Sequence, residues 1–134
     1  MTVPTETDQS YRVIIAGGRD FDDEEVLYDA MWQLYGDSDY HYDSAYLYNY
    51  VIVSGGARGA DKLGEKWATQ WGFPVEVHPA LWDKHGKQAG ILRNIEMAKV
   101  SNVLVAFWDG ESRGTAHMID TALREGLEVH VYRY

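Results

Sequence analysis

Three glycine turns that each carry an arginine are the residues with the clearest chemistry in this sequence. They are Gly17-Gly18-Arg19, Gly55-Gly56-Ala57-Arg58 and Ser112-Arg113-Gly114-Thr115. Glycine lets a backbone approach a ligand closely, and the planar fork of arginine suits phosphate. A helix that begins at such a turn also presents unpaired N–H groups to an anion. Together these turns indicate a binding site for a phosphorylated or polyphosphate small molecule.

The second turn follows three β-branched residues, 51–53, which predict a short buried strand. From Ala60 the apolar residues recur at helical spacing, so the turn joins a strand to a helix. Its candidate ligand-binding residues are Ser54, Gly55, Gly56, Arg58 and Asp61. The alternative is that the two glycines make only a tight turn and that the arginines form surface ion pairs.

The elements that must position these turns alternate along the chain. Strands are predicted over 11–16, 51–53, 73–78, 102–107 and 127–132, and helices over 22–35, 60–71, 89–99 and 115–125. This order predicts an α/β fold: a three-layer, Rossmann-like, doubly wound parallel sheet of about five strands in a single domain. In such a sheet the three turns emerge at the same carboxyl edge, where ligands bind.

Four further residues are candidates near this edge. Arg93 and Asn94 lie early in the helix predicted over 89–99 and could contact a ligand or simply pair with nearby acids. Trp82 and Lys87 could close the pocket as a lid, although the area that a Trp side chain buries favours a packed core position for Trp82. The first turn of the first helix, 22–25, holds four acids that would repel a phosphate, so it caps the helix or contacts a base, a ribose or a cation.

Composition bounds the class of protein. The 134 residues carry a net charge of −9, and residues 1–50 hold 11 acids and 2 bases. Without a clustered basic face, strong nucleic-acid binding is disfavoured. The absence of cysteine excludes disulfides and thiolate zinc sites and fits a cytoplasmic protein. No apolar run is long enough to span a membrane, and the polar segment 1–10 predicts a flexible N-terminal tail rather than a secretory signal.

Residues 35–50 form a tyrosine-rich segment with no sustained period, which we interpret as an excursion from the domain at 11–134. Asp37, Asp39, His41 and Asp43 match no metal-site template, so no metal is expected. Six tyrosines in this segment instead suggest an interface, and we expect a homodimer or a higher even-numbered oligomer.

The combination of motifs resembles the YspA-like branch of the SLOG superfamily. The matching stretches are Arg12-Val-Ile-Ile-Ala-Gly-Gly-Arg-Asp-Phe, Val53-Ser-Gly-Gly-Ala-Arg-Gly-Ala-Asp, Trp82-Asp-Lys-His-Gly-Lys-Gln-Ala-Gly, Arg93-Asn and Ser112-Arg-Gly-Thr-Ala-His-Met. The resemblance implies a Rossmann-like fold that binds nucleotides or nucleotide-derived ligands and requires no other cofactor. Some relatives sense ADP-ribose-type messengers, and others are phosphoribohydrolases that cleave the N-glycosidic bond of a nucleoside monophosphate.

One departure from the hydrolase pattern concerns catalysis. The hydrolases resemble Pro-Gly-Gly-x-Gly-Thr-x-x-Glu at the final turn, and here Met118 occupies the position of that glutamate. Methionine cannot exchange a proton, so a sensor or sequestering module is favoured over a hydrolase, and a third alternative is an assembly protein with a vestigial pocket. No catalytic residue is assigned, although Asp61, Glu111 or Asp120 could replace the missing carboxylate.

Overall fold

The computed structural model describes residues 10–36 and 49–134, which contain a five-stranded parallel sheet. The strands are β1 (Ser10–Gly17), β2 (Asn49–Ser54), β3 (Val75–Val77), β4 (Val103–Trp108) and β5 (Glu128–Arg133). The helices are α1 (Glu24–Gly36), α2 (Ala60–Trp71), α3 (Trp82–His85), α4 (Ala89–Val100) and α5 (Arg113–Arg124), with a 3₁₀ turn at Gly86–Gln88. None of these helices is both long and apolar enough to cross a membrane.

The sheet has the order β3-β2-β1-β4-β5, with every pair parallel. The first strand therefore lies in the centre, where Ile14 pairs with Val53 of β2 on one side and with Leu104 of β4 on the other. The chain winds outward in one direction from β1 to β3 and then returns to the other side of β1. This reversal makes a crevice at the carboxyl ends of β1 and β4, and it confirms the predicted doubly wound fold.

The two faces of the sheet bury separate apolar clusters. Val13 and Ile15 of β1 belong to the cluster beneath α1 and α2, which includes Trp67. The alternating residue Ile14 belongs to the opposite cluster, beneath α4 and α5, which includes Met97. Side chains of a strand alternate between its faces, so one apolar strand can serve both layers. The three-layer prediction is confirmed.

Close packing of α2 on β1 depends on a glycine. A Cβ atom at Gly64 would lie 2.7 Å from Cγ2 of Ile15, so a larger residue would push the helix away from the sheet. At the carboxyl end of β1, a Cβ at Gly17 would overlap the carbonyl oxygen of Phe107 and would lie 2.9 Å from Cβ of Ala60. These contacts bring the start of α2 directly over the end of the central strand.

Several predicted boundaries differ from the structure. The stretch 79–88, which lies between a predicted strand and a predicted helix, contains α3 and the 3₁₀ turn. Helix α5 begins at Arg113 rather than Thr115, because Ser112 caps it. Ser10 already belongs to β1. Of the tyrosine-rich segment, Tyr35 and Gly36 end α1, and Asn49 and Tyr50 begin β2. The remainder, 37–48, with the four metal candidates considered above, lies outside the described residues, as does the tail at 1–9.

Aromatic side chains gather where α1 and α2 meet. The ring of Trp32 lies edge-on to that of Trp67 at 5.4 Å and to that of Trp71 at 5.1 Å. Tyr35 packs in the same way against Phe73 at 5.3 Å. Trp71 remains 50% exposed and Trp32 is also partly exposed, so these two indoles form an apolar surface remote from the crevice.

Candidate ligand-binding site

A cavity of about 910 Å³ opens at the carboxyl ends of β1 and β4. Four parts of the chain form its wall: the turn after β1, the start of α2, the region from α3 to α4, and the turn that leads into α5. The sequence-predicted residues that line it are Gly17, Gly18, Arg19, Arg58, Asp61, Trp82, Lys87, Arg93, Asn94, Ser112, Arg113, Gly114 and Thr115. Topology alone therefore brings the three glycine-arginine turns to one crevice, as predicted.

Three predicted contact residues lie outside the cavity wall: Ser54, Gly55 and Gly56. The Ser54 hydroxyl is buried and donates to a carboxylate oxygen of Glu65 at 2.6 Å, while it accepts a hydrogen bond from the Gly56 amide at 3.0 Å. The carbonyl oxygen of Gly55 accepts a hydrogen bond from Nη1 of Arg93 at 2.7 Å. Ser54, Gly55 and Gly56 therefore support the wall from behind, while Ala57 and Arg58 of the same turn line the cavity.

The first turn of α5 is arranged to receive an anion. The Ser112 side chain caps the helix by accepting from the Thr115 amide at 3.4 Å. Asp109 Oδ1 accepts from the amides of Glu111 and Ser112, both at 2.8 Å, and these bonds lower the pKa of Asp109. Within the described part of the chain, the amides of Arg113 and Gly114 have no acceptor.

Space in front of this turn is also open. Gly114 lines the cavity, and a Cβ atom added there would meet no heavy atom within 4 Å. The positive end of a helix dipole and unpaired amides together favour a bound anion. The start of α5 can therefore hold a phosphate without displacing any group of the protein.

The start of α2 is arranged differently, because it already contains a buried carboxylate. Asp61 is only 5% exposed, and its Oδ2 accepts from the amide of Ala57 at 3.3 Å. Burial raises the pKa of Asp61 to about 6, and the Ala57 amide and the charge of Arg93 oppose this rise. The N-terminus of α2 is therefore occupied by the carboxylate of Asp61 and, unlike that of α5, is not an open anion site.

Arg93 and Asn94 link two walls of the cavity. Besides its bond to Gly55, Arg93 donates from Nε to Asn94 Oδ1 at 3.1 Å, and burial lowers the pKa of its guanidinium. Because Oδ1 of Asn94 accepts this bond, its amide nitrogen faces the Gly114 carbonyl at 3.4 Å and His117 Nδ1 at 3.2 Å. His117 Nδ1 is consequently an acceptor, so Nε2 carries the hydrogen, and Nε2 lies 3.4 Å from Thr121 Oγ1.

Two exposed side chains of the cavity wall are apolar, Trp82 and Ile91. Trp82 is 51% exposed, so the prediction of a packed core position is wrong, and its place in the cavity wall fits the predicted lid. Gly90 lies beneath it, since a Cβ there would be 3.6 Å from Trp82 Cη2. Ile91, also exposed, lines the same side. An aromatic or apolar part of a ligand could therefore contact this rim.

Of the three acids that could replace the missing hydrolase glutamate, only Asp61 lines the cavity. Asp120 instead pairs with Arg124 at 2.8 Å. Met118 is buried in the cavity wall. Within the described residues no cluster of three metal-ligating side chains exists.

Sequence reasoning did not assign Asp20 and Asp109 to the site, although both line the cavity. Asp20 accepts a hydrogen bond from the Tyr134 hydroxyl at 2.6 Å, a contact across 114 residues. Its position directly after Gly18-Arg19 was the available signal. For Asp109 the signal was its place at the end of β4, before the turn that leads into α5.

Comparisons with known proteins agree with this architecture. A family model described as YAcAr, the YspA, cpYpsA-related SLOG family, matches residues 11–85. The Gene 61 protein of Mycobacterium phage D29 is 42% identical over 124 residues, which cover 88% of this chain and 93% of that protein.

Two solved structures resemble the fold. DNA processing protein A (DprA) from Streptococcus pneumoniae superposes with a TM-score of 0.68 at 17% identity over 94% of this chain. The chain spans about half of DprA, 51% of its length. A predicted subunit of tRNA methyltransferase from Methanocaldococcus jannaschii gives a TM-score of 0.40 at 16% identity. The superposition covers 92% of this chain and 68% of that one.

Proposed function

Because the chain belongs to the YspA, cpYpsA-related SLOG family, we propose that it binds a nucleotide or a nucleotide-derived phosphate ligand at the carboxyl edge of its sheet. Membership of this family indicates a nucleotide-related function. An ADP-ribose-like molecule or a nucleoside phosphate fits the cavity chemistry, and the protein would serve as a sensor or a sequestering module. Such a module needs no further cofactor, and a chain without cysteine suits the reducing cytoplasm, where free nucleotides are available.

The observation that carries this proposal is the first turn of α5. The amides of Arg113 and Gly114 have no acceptor among the described residues, and they border an open cavity. The side chain of Arg113 adds a fixed positive charge at the same place. A phosphate is the ligand group that satisfies unpaired amides, a helix dipole and an arginine together.

The charge of the cavity supports an anionic ligand. Its wall holds five basic side chains and three acidic ones, which gives +2 when all are ionised: Arg19, Arg58, Lys87, Arg93, Arg113, Asp20, Asp61 and Asp109. The whole chain carries −9. A local excess of positive charge on an acidic protein concentrates small anions at the cavity, while the rest of the surface repels extended polyanions.

The test is a thermal-shift and calorimetric panel of AMP, ADP, ADP-ribose and cyclic dinucleotides. A ligand at a hundredfold excess over its Kd stabilises the fold by about 2.7 kcal/mol, which is readily measured. Arg113→Ala and Arg58→Ala should each weaken binding. Arg124→Ala is the matched control, because it removes the same charge from the last turn of α5, where Arg124 pairs with Asp120.

Failure of every compound to bind, or equal affinities of the wild type and both cavity variants, would overturn the proposal. A single-stranded DNA oligonucleotide belongs in the same panel, because DprA is named a DNA processing protein. We expect it to bind more weakly than the free nucleotide at physiological salt, since the net charge of −9 opposes a polyanion.

A further inference from the structure

We propose that Asp61 determines sugar specificity, because its carboxylate accepts a hydrogen bond from a ribose hydroxyl of the ligand. This inference rests on the proposed function, with the ligand phosphate placed at the start of α5. It adds that the ligand must carry a free sugar hydroxyl, so that a ribonucleotide is selected over its deoxy counterpart.

The carboxylate of Asp61 retains acceptor capacity toward the cavity. It lines the wall while only 5% exposed, and its own chain offers it the amides of Ala57 and Gly55. Within the described residues no basic side chain lies within 4.0 Å of it. A carboxylate has about four acceptor sites, so two amides leave room for a further donor.

The ligand group that contacts Asp61 cannot be a phosphate, because the contact would bring two negative charges together in a buried place. Arg93, the nearest charge of opposite sign, is already held by Gly55 and Asn94. A buried polar group needs hydrogen bonds, and a neutral hydroxyl supplies one at no electrostatic cost. Asp61 therefore selects for a hydroxyl-bearing part of the ligand.

The fold places this acid and the start of α5 in one cavity. The start of α2 lies over the end of β1, where the amide of Ala60 donates to the carbonyl oxygen of Gly18, and β1 pairs with β4, which leads into α5. Because Asp61 and the first turn of α5 line the same cavity, a single ligand can contact both. Its base can then pack against Trp82 and Ile91, the two exposed apolar side chains of the cavity wall.

The test measures Kd by calorimetry for AMP, 2′-deoxy-AMP and 3′-deoxy-AMP, with ADP-ribose as a second ribose-bearing probe. A hydrogen bond to a charged group predicts that one deoxy compound binds the wild type at least about tenfold more weakly than AMP. Asp61→Asn keeps the shape of the side chain and one acceptor oxygen. In this variant the ratio of the Kd of the deoxy compound to the Kd of AMP should fall below about threefold. Asp120→Asn, an exposed carboxylate on α5 outside the cavity wall, should retain the wild-type ratio.

The outcomes separate the two proposals. If AMP binds, Arg113→Ala weakens it, and both deoxy compounds bind the wild type as tightly as AMP, the role of Asp61 is overturned while the proposed function stands. If the ratio is unchanged in a folded Asp61→Asn variant, another residue recognises the sugar and the inference also fails. If neither AMP nor ADP-ribose binds, the role of Asp61 is overturned, and if no compound of the nucleotide panel binds, the proposed function fails together with it.

Discussion

Replacing Asp61 by asparagine should change how stability depends on pH. Burial raises the pKa of this carboxyl from 3.8 to about 6, so the folded protein binds a proton more tightly than the unfolded chain does. Its contribution to stability is therefore greatest at low pH and is lost as the pH rises through about 6. The shift corresponds to about 3 kcal/mol, of which about half is regained by pH 5.

Urea denaturation of the wild type and of Asp61→Asn from pH 5 to pH 7.5 measures this linkage. The difference in unfolding free energy between the two proteins should move by about 1.4 kcal/mol in favour of the wild type as the pH falls. Taking the difference removes the titration of groups common to both proteins. Asp120→Asn is the matched control, because it makes the same substitution at an exposed carboxylate. A pH-independent difference for Asp61→Asn would refute the assigned burial.

Four further outcomes follow from the structure. Gly114→Ala should leave stability unchanged or raise it by about 0.4–1 kcal/mol, since a Cβ meets nothing there, yet calorimetry should show weaker nucleotide binding. Gly64→Ala should cost about 1–3 kcal/mol in urea denaturation, because the new methyl overlaps a β1 side chain. Chromatography should detect little release of free base from AMP, because Met118 replaces the hydrolase carboxylate; rapid release would contradict this. Light scattering should show a dimer or a higher even-numbered oligomer, and the exposed Trp32 and Trp71 are candidate contacts. The association should tighten as salt rises, because salt screens the repulsion between charges beyond about 8 Å. A monomer at both low and moderate salt would contradict self-association.

The convergence of the three glycine-arginine turns could be predicted because parallel strands place all their carboxyl ends at one edge. This prediction needs only the order of strands and helices and does not need the positions of the Arg58 and Arg113 side chains. The direction of each side chain was a different matter. Ser54 faces Glu65 on α2 rather than the cavity, and only the docking of that helix decides this.

The burial of Asp61 and the exposure of Trp82 likewise could not be predicted from the sequence. Asp61 is buried where the start of α2 folds back on the turn after β2, so its shifted pKa is a property of tertiary packing. Trp82 has the apolar area of a core residue, yet it begins a four-residue helix and lies exposed in the cavity wall. Residue type indicated what each could do, while tertiary packing decided where.

The central position of β1 has a consequence for the order in which the protein folds. This strand is made first, but its pairing with β4 joins residues about ninety positions apart, as in the bond from the Arg12 amide to Asn102 Oδ1. Contacts of such long range form slowly, and a strand edge left unpaired invites association with other chains. During synthesis one edge of β1 must wait for β4 to emerge from the ribosome. Since α5 follows β4, the cavity can form only after α5 has also been made, and a ligand would stabilise only a chain that contains both.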